Sequence, residues 1–246
     1  MAPQALLSPL HQADGSATYS ANGYSVIGAV NGPVEVSRRD ELPEEAAIEV
    51  NVRPAAGVGG PRERHLESLI QSTLRHIILT RAHPRTLIQV TLQVTSLPEE
   101  ESSVGDGSGF SFSSLPVLPP LLTTATLALL SASIPLSTTL SATLVAITAA
   151  GKIKCAPTAA ELVRASAKVS SLHVFAFSVG RALLLAESEG DFEFGAWESA
   201  CEVAEDACCK SVEGMEVDGE VENGQEFLRG VVEGKVGREM RWRTAA

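Results

Sequence analysis

Five arginines in the first half of the chain are the side chains best suited to bind a polyanion. They are Arg62, Arg64, Arg75, Arg81 and Arg85. A few guanidinium–phosphate contacts would give a salt-dependent grip on a nucleic acid that does not depend on base sequence. The same arginines could instead form a solvated helix face that pairs with Glu63 and Glu67. The sequence favours this structural interpretation and keeps nucleic-acid binding as its rival.

Candidate nucleophiles and metal ligands are few. The four cysteines are Cys155, Cys201, Cys208 and Cys209, and they lack the Cys/His spacing that zinc sites use. We therefore expect free thiols in a reducing compartment, and neither a metal site nor a cofactor. His83 precedes Pro84 without an evident acidic partner nearby, so it is expected to pack or cap a turn rather than act in catalysis.

Acidic residues are concentrated in one segment. The formal net charge is −11. Residues 187–226 contain fourteen Asp or Glu and one Lys, a net charge of −13, so the remainder of the chain carries +2. The acidic segment is expected to be solvated surface, with contact to a basic partner as the alternative. The near-neutral remainder could still carry a local basic patch.

Residues 107–151 contain no charged side chain, and the rest of the chain is expected to pack around them. A membrane span would need about 20 unbroken apolar residues, but Pro116, Pro119, Pro120 and Pro135 interrupt this stretch. We instead expect a helix over 121–130 that is apolar or small on every face and therefore covered all round. A buried strand is expected over 138–149.

Hydrophobic periodicity predicts the elements that surround this centre. Residues 62–80 form the clearest amphipathic helix, and Asn22-Gly23 is a strong β-hairpin signal. The other predictions are strands over 17–19, 25–30, 47–53, 87–95, 172–179 and 182–186, and helices over 197–210 and 226–241. Together they predict an α/β (α+β) chain in the order β-β-β-α-β-α-β-β-β-α. We expect a flexible arm over 1–13 and a single domain over 14–246, with insertions near 98–114, 187–195 and 211–225.

Several of these segments together resemble the RNase PH family. The matching segments are Asp-Gly-Ser at 14–16, Val-Ile-Gly-Ala-Val-Asn-Gly-Pro-Val-Glu-Val at 26–36, Glu-Val-Asn-Val-Arg-Pro at 49–54, residues 64–78, His-Pro-Arg-Thr at 83–86 with the strand that follows, and residues 124–136. Each segment is short, but their order and spacing are specific. The resemblance implies the RNase PH fold (ribosomal protein S5 domain 2-like), with mixed sheets, a central buried helix and C-terminal helices.

Within that family the chain is similar to the ring subunits of the eukaryotic RNA exosome. This resemblance implies obligate pairing with another RNase PH-like subunit and a six-membered ring. It also implies contacts with S1/KH cap subunits and RNA in the channel, and no contact with a membrane. The location it implies is the nucleus and nucleolus, and also the cytoplasm.

The chain departs from the pattern of the phosphorolytic family members at both halves of their site. Those members carry a Gly-Thr-Arg-type turn at the start of the central helix, where backbone amides and an arginine bind phosphate. The corresponding stretch here is Leu115-Pro116-Val117-Leu118-Pro119-Pro120, which has no arginine and three prolines that lack an amide donor. We expect this stretch not to bind an anion.

The second half of the family's site is a set of carboxylates that bind metal or transfer protons. The corresponding positions look like Ala156 and Leu162, with Glu161 as a neighbouring rescue candidate. The favoured hypothesis is therefore a non-catalytic structural subunit without catalytic residues. Its alternatives are an active phosphorolytic or hydrolytic 3′-to-5′ exoribonuclease with a site around Glu161 and Arg75, and a free-standing RNA-binding module.

Overall fold

The computed structural model describes residues 3–98, 114–165, 169–209 and 223–244, which contain two β-sheets. The first sheet has the order β1-β2-β3-β5-β4 and is antiparallel except for the parallel pair β4 and β5. Its strands are β1 (Gln4–Leu7), β2 (Gly15–Ala21), β3 (Tyr24–Glu35), β4 (Ala47–Arg53) and β5 (Thr86–Ser96). The second sheet is antiparallel, in the order β7-β6-β8-β9. Its strands are β6 (Leu140–Thr148), β7 (Ile153–Cys155), β8 (Val169–Ser178) and β9 (Leu183–Gly190).

Six α-helices accompany the sheets in the described residues. They are α1 (Pro61–Ile77), α2 (Leu118–Ser131), α3 (Ala159–Ala165), α4 (Phe194–Cys209), α5 (Gly224–Glu239) and α6 (Arg241–Thr244), with short 3₁₀ turns at Thr80–Ala82 and Leu115–Val117. The expected mixed α/β architecture with a central helix and C-terminal helices is confirmed. No helix in the described ranges has the length and apolar character needed to cross a bilayer.

Helix α2 is the buried centre that the uncharged stretch predicted. Every residue over 118–129 is buried, and the helix packs against strands of both sheets. The hydroxyls of Thr123, Thr124 and Thr126 each donate to the carbonyl four residues earlier, at 2.7–2.9 Å. These bonds satisfy the hydroxyls within the helix, so polar residues can occupy an apolar core without an unpaired donor.

Helix α1 covers the open edge of the first sheet. Its buried stripe includes Leu66, Ile70 and Leu74, as the 3.6-residue periodicity predicted. Residues beside the stripe also contact the edge strand β4. The Val52 amide donates to Glu67 at 2.8 Å, and the Gln71 amide group donates to the Ile48 carbonyl at 2.7 Å. Side chains of α1 thus bond to backbone groups that an unpaired edge would expose.

The expectation about the start of the chain is wrong. The flexible arm expected over 1–13 contains β1, whose four residues pair with β2. Strand β3 runs continuously through Asn31, Gly32 and Pro33, with an irregularity in its pairing to β5 between Asn31 and Val34. The insertion expected near 187–195 is largely regular, because β9 extends to Gly190 and α4 begins at Phe194. Short strands form here because a neighbouring strand supplies hydrogen bonds that local sequence does not show. Residues 99–113 and 210–222, which make up most of the other two expected insertions, lie outside the described residues.

Candidate functional site

A small cavity lies at the N-terminal end of α2, where the resemblance places the family's chemistry. Its volume is about 110 Å³. The lining residues come from the β2–β3 hairpin, the start of α2, β6 and the turn after β7, and are Tyr19, Ala21, Asn22, Tyr24, Pro116, Pro119, Pro120, Ala142, Thr143, Leu144, Ala156 and Pro157. The fold therefore brings together the proline-rich stretch and Ala156, which lie far apart in the sequence. None of these lining side chains is a carboxylate, an arginine, a lysine or a histidine.

The start of α2 offers no amide cradle of the kind that binds phosphate. The Val117 amide donates to the Ser114 carbonyl at 3.3 Å, and the Leu118 amide donates to the Leu115 carbonyl. Pro119 and Pro120, which come next, have no amide hydrogen. An anion at this helix end would therefore meet two amides that already donate within the chain and two prolines that have no amide hydrogen, whereas anion-binding helix ends offer free amides.

The positions expected to carry carboxylates hold groups that are inert toward cations. Ala156 is exposed in the turn after β7, and its amide donates to the Leu144 carbonyl at 2.8 Å. Leu162, on α3, packs against the main hydrophobic core. No cluster of three or more His, Cys, Asp or Glu that could bind a metal ion occurs in the described parts of the chain.

Glu161 has a structural role in the place where the sequence allowed a rescue of catalysis. One of its carboxylate oxygens accepts a hydrogen bond from the Thr158 amide at 2.9 Å, at the start of α3. The other lies 2.5 Å from the Lys154 ammonium. The Lys154 bond, with help from the Thr158 amide, lowers the pKa of Glu161 to about 2. Such a carboxylate is a very weak base at neutral pH, and Glu161 does not line the cavity.

The five candidate arginines do not form one cluster. Arg62 and Arg64 lie in the first turn of α1, whereas Arg75 lies in its last turn. Arg75 follows Arg62 by thirteen positions along the helix, which corresponds to roughly 20 Å along its axis. Arg81 and Arg85 follow the C-terminal end of the helix. All five are exposed, and they fall into two groups at opposite ends of α1.

Two of these arginines pair with acids of the loop between β3 and β4. The Arg75 guanidinium bonds to the Glu45 carboxylate, and Arg85 lies 3.4 Å from Glu41. Both arginine side chains remain more than half exposed, so the pairs leave part of each guanidinium in solvent. The sequence did not predict these pairs, because the partners are 30 and 44 residues apart. Arg62 and Glu63 line a separate cavity of about 220 Å³ at the start of α1.

The cysteine thiols are free, and burial raises the pKa of each. The strongest case is Cys208, where burial between α4 and the second sheet is the main cause and the pKa is about 12. A thiol in this state is protonated and a poor nucleophile at neutral pH.

Comparison with known proteins supports the resemblance. Residues 7–135 match the RNase PH model described as "3' exoribonuclease family, domain 1". The chain is 33% identical over 216 residues to a Saccharomyces cerevisiae protein named exosome complex component RRP46, covering 85% of this chain and 91% of the relative. It is 36% identical over 129 residues to an Oryza sativa protein named exosome complex exonuclease RRP46 homolog, covering 52% and 48%. A solved structure titled rice Rrp46 matches with a TM-score of 0.68 and 28% identity, covering 82% of this chain and 86% of that one.

Proposed function

The chain belongs to the RNase PH family, and we propose that it is a non-catalytic structural subunit of the RNA exosome core ring. Within the family it resembles ribosomal RNA-processing protein 46, the Rrp46 of the relatives' names. In this role the protein helps to form the channel through which RNA is threaded for 3′-to-5′ processing and decay. Ribosomal RNA is one of the RNAs processed. The observation that carries the non-catalytic part is the uncharged cavity at the start of α2.

Chemistry at that cavity supports a structural role. Phosphorolysis needs a bound inorganic phosphate as nucleophile and stabilisation of the charge that develops during transfer. The cavity lining provides neither a cation nor a carboxylate, and the amides at the start of α2 are used or absent. Meanwhile the packing of α2 against both sheets is complete. The scaffold of the family thus remains while the groups that perform its chemistry are missing.

The proposed partners are other RNase PH-like ring subunits, S1/KH cap subunits and RNA inside the channel. The yeast relative's name supports membership of the exosome complex. The proposal includes one domain over 14–246 and a location in the nucleus, nucleolus and cytoplasm. Channel RNA would meet some of the exposed arginines at the two ends of α1.

An activity assay tests the non-catalytic part. The purified chain, alone and co-expressed with RNase PH-like ring subunits, would be incubated with single-stranded RNA and inorganic phosphate. We expect no release of nucleoside diphosphates, while a phosphorolytic RNase PH run in parallel releases them. The contrary result would be release by the lone chain, as the word exonuclease in the rice relative's name allows. If Glu161→Ala with Arg75→Ala abolished that release, the enzyme hypothesis would replace ours.

A charge-reversal pair tests RNA contact by the arginines. We expect Arg62→Glu with Arg64→Glu to weaken RNA binding by the assembled ring and to flatten its salt dependence, since each lost phosphate contact lowers the slope by about one. Arg229→Glu with Arg238→Glu is the matched control, because both are exposed helical arginines but lie on α5, and the net charge changes by the same amount. Filter binding over a salt series measures both. If the control weakened RNA binding equally, the arginines of α1 would have no specific role in that binding.

A further inference from the structure

Two phenylalanines and a tryptophan form an aromatic surface where β9 leads into α4. Phe192 is 40% exposed and Phe194 is 73% exposed. The Phe194 ring stacks on Trp197, with ring centroids 5.9 Å apart and an angle of 20° between the planes. Phe192 contacts the buried His173 edge-on at 4.7 Å. Exposed aromatic rings at such density are typical of binding surfaces rather than of ordinary solvent-facing loops.

A buried chain of hydrogen bonds holds this surface in place. The Trp197 indole N–H donates to the Ser188 hydroxyl at 3.2 Å. The same hydroxyl lies 2.8 Å from His173 Nδ1, and His173 Nε2 lies 2.8 Å from the Ser171 hydroxyl. His173 and Ser171 are fully buried. Because these hydrogen bonds already fix the indole, the protein would lose little side-chain entropy when a ligand stacks on Trp197 or on Phe194.

Carboxylates lie next to the aromatic residues in the sequence, and the nearest cation along the chain, Arg181, pairs with Glu205 of α4. Residues 182–209 contain eight Asp or Glu and no Lys or Arg. Asp191, Glu193 and Glu198 are exposed and lie beside or between the aromatic residues. Phosphates of RNA would be repelled within a Debye length of about 10 Å at 0.1 M salt. Base stacking on these rings is therefore disfavoured, although aromatic rings alone would permit it.

Aromatic faces and carboxylates together attract organic cations. A guanidinium stacks on the face of Trp or Phe and pairs with carboxylates in the same plane, which an ammonium does less well. The Phe194 ring presents such a face, and Glu193 and Glu198 flank it in sequence. The negative charge of the surface thus favours a cationic ligand. The buried hydrogen bonds hold the Trp197 indole in a fixed orientation before the ligand binds.

We propose that this surface, the acidic aromatic shelf formed by Phe192, Phe194, Trp197, Asp191, Glu193 and Glu198, binds an arginine-rich segment of a partner protein. This inference does not depend on the proposed function, because it needs neither RNA nor ring assembly. It gives the acidic region over 187–209 a role beyond solubility.

Fluorescence anisotropy with the purified full chain tests the shelf. The probe is a labelled peptide in which four arginines alternate with glycine and serine. We expect it to bind, a lysine version to bind several-fold more weakly, and a glutamate version not to bind. Glu193→Lys with Glu198→Lys should lower the affinity about tenfold or more, and Phe194→Ser about fivefold. Glu193→Gln with Glu198→Gln should give an intermediate loss, because these changes remove the carboxylates without placing cations near the start of α4.

Matched control variants distinguish binding at the shelf from non-specific attraction by the negative charge of the protein. Glu226→Lys with Glu239→Lys makes the same change in net charge on α5, and Met240→Ser removes another exposed apolar side chain. We expect both to keep the affinity within about twofold. Equal losses in these controls would overturn the proposal, and so would unchanged binding by the shelf variants. Binding of a short oligouridylate that the Phe194→Ser variant abolishes would instead assign the surface to RNA and also overturn the proposal.

Discussion

The body of helix α2 and its N-terminal end have opposite properties. The body is packed so closely that two facing strands carry glycine. A Cβ at Gly15 would lie 2.5 Å from the Ala128 carbonyl oxygen, and one at Gly28 would lie 2.9 Å from a methyl carbon of Thr124. The N-terminal end borders an uncharged cavity and has no side-chain cap. Close packing thus sets which residues fit beside the body of α2.

This difference separates two constraints that an active enzyme must meet together. Packing around α2 requires small residues at fixed positions, because a backbone cannot move aside cheaply. Phosphate binding requires donors and charge at one helix end. The packing requirement is met along the body of α2, whereas the Val117 and Leu118 amides at its start already donate within the chain and Pro119 and Pro120 have no amide hydrogen. Substitutions beside the body of α2 should therefore change the free energy of unfolding far more than substitutions near its N-terminal end.

The largest effect is expected in the helix body. Gly15→Ala should lower the free energy of unfolding by about 3 kcal/mol, because the new methyl group meets backbone atoms of α2 rather than a side chain that can turn. Urea denaturation measures the change. Gly234→Ala is the control, because its Cβ would meet nothing within 4 Å and should raise stability by about 0.5 kcal/mol.

Gly28→Ala is a milder version of the same substitution. Here the new methyl group meets the Thr124 and Leu92 side chains, which can shift, and the expected loss is about 1 kcal/mol. A loss at Gly28 equal to that at Gly15 would mean that backbone contact with α2 does not set the cost. An unchanged stability for Gly15→Ala would show that the helix body is looser than its geometry implies.

Much of this body could be predicted from the sequence. The uncharged stretch predicted a helix buried on all sides, and the observed α2 differs from the predicted 121–130 only by extra residues at each end. Its first turn begins at Leu118, since two prolines are compatible with the start of a helix, where amides have no partner within the helix. Strand β1 could not be predicted in this way, because four residues become a strand only through pairing with β2.

The site was predictable in part. The resemblance identified the two stretches that meet at the cavity, the prolines near 116–120 and Ala156, and the structure brings them together. It gave no sign that Tyr19 and Tyr24 of the first hairpin line the same cavity. Nor could it show that Arg75 pairs with Glu45, or that Phe194 is mostly exposed rather than anchored in the core. These facts depend on long-range packing, and no local pattern records them.

A smaller effect is expected beside the cavity, at Glu161. Its folded-state pKa of about 2 is below the ordinary 4.5, so its charge stabilises the fold above pH 4.5 and loses this contribution as the pH falls toward 2. Glu161→Gln keeps a group that can cap α3 but removes the charge that pairs with Lys154. Because this pair is 44–48% exposed, solvent screening limits the expected loss to below about 1 kcal/mol.

The measurement for Glu161 is a pair of denaturation curves at each pH. The difference between the native chain and Glu161→Gln should be constant near neutral pH and vanish between pH 4.5 and 2. High salt should reduce it at neutral pH, as expected for an exposed ion pair. A difference that grew as the pH fell would contradict the assignment of the low pKa to Lys154. A large loss of RNA processing with unchanged stability would instead return Glu161 to a functional role.

The smallest effect is expected at Ala156, where the comparison between helix body and helix end is most direct. Ala156 is exposed and has a φ of 47°, a conformation that aspartate tolerates better than most residues. Ala156→Asp should therefore change the free energy of unfolding by less than about 0.5 kcal/mol. It should also give no phosphate-dependent release of nucleoside diphosphates, because one carboxylate cannot replace the missing arginine and amide donors at the start of α2. Detectable release by this single variant would show that the phosphate half of the site still exists, and the cavity would then have to be read as a dormant active site.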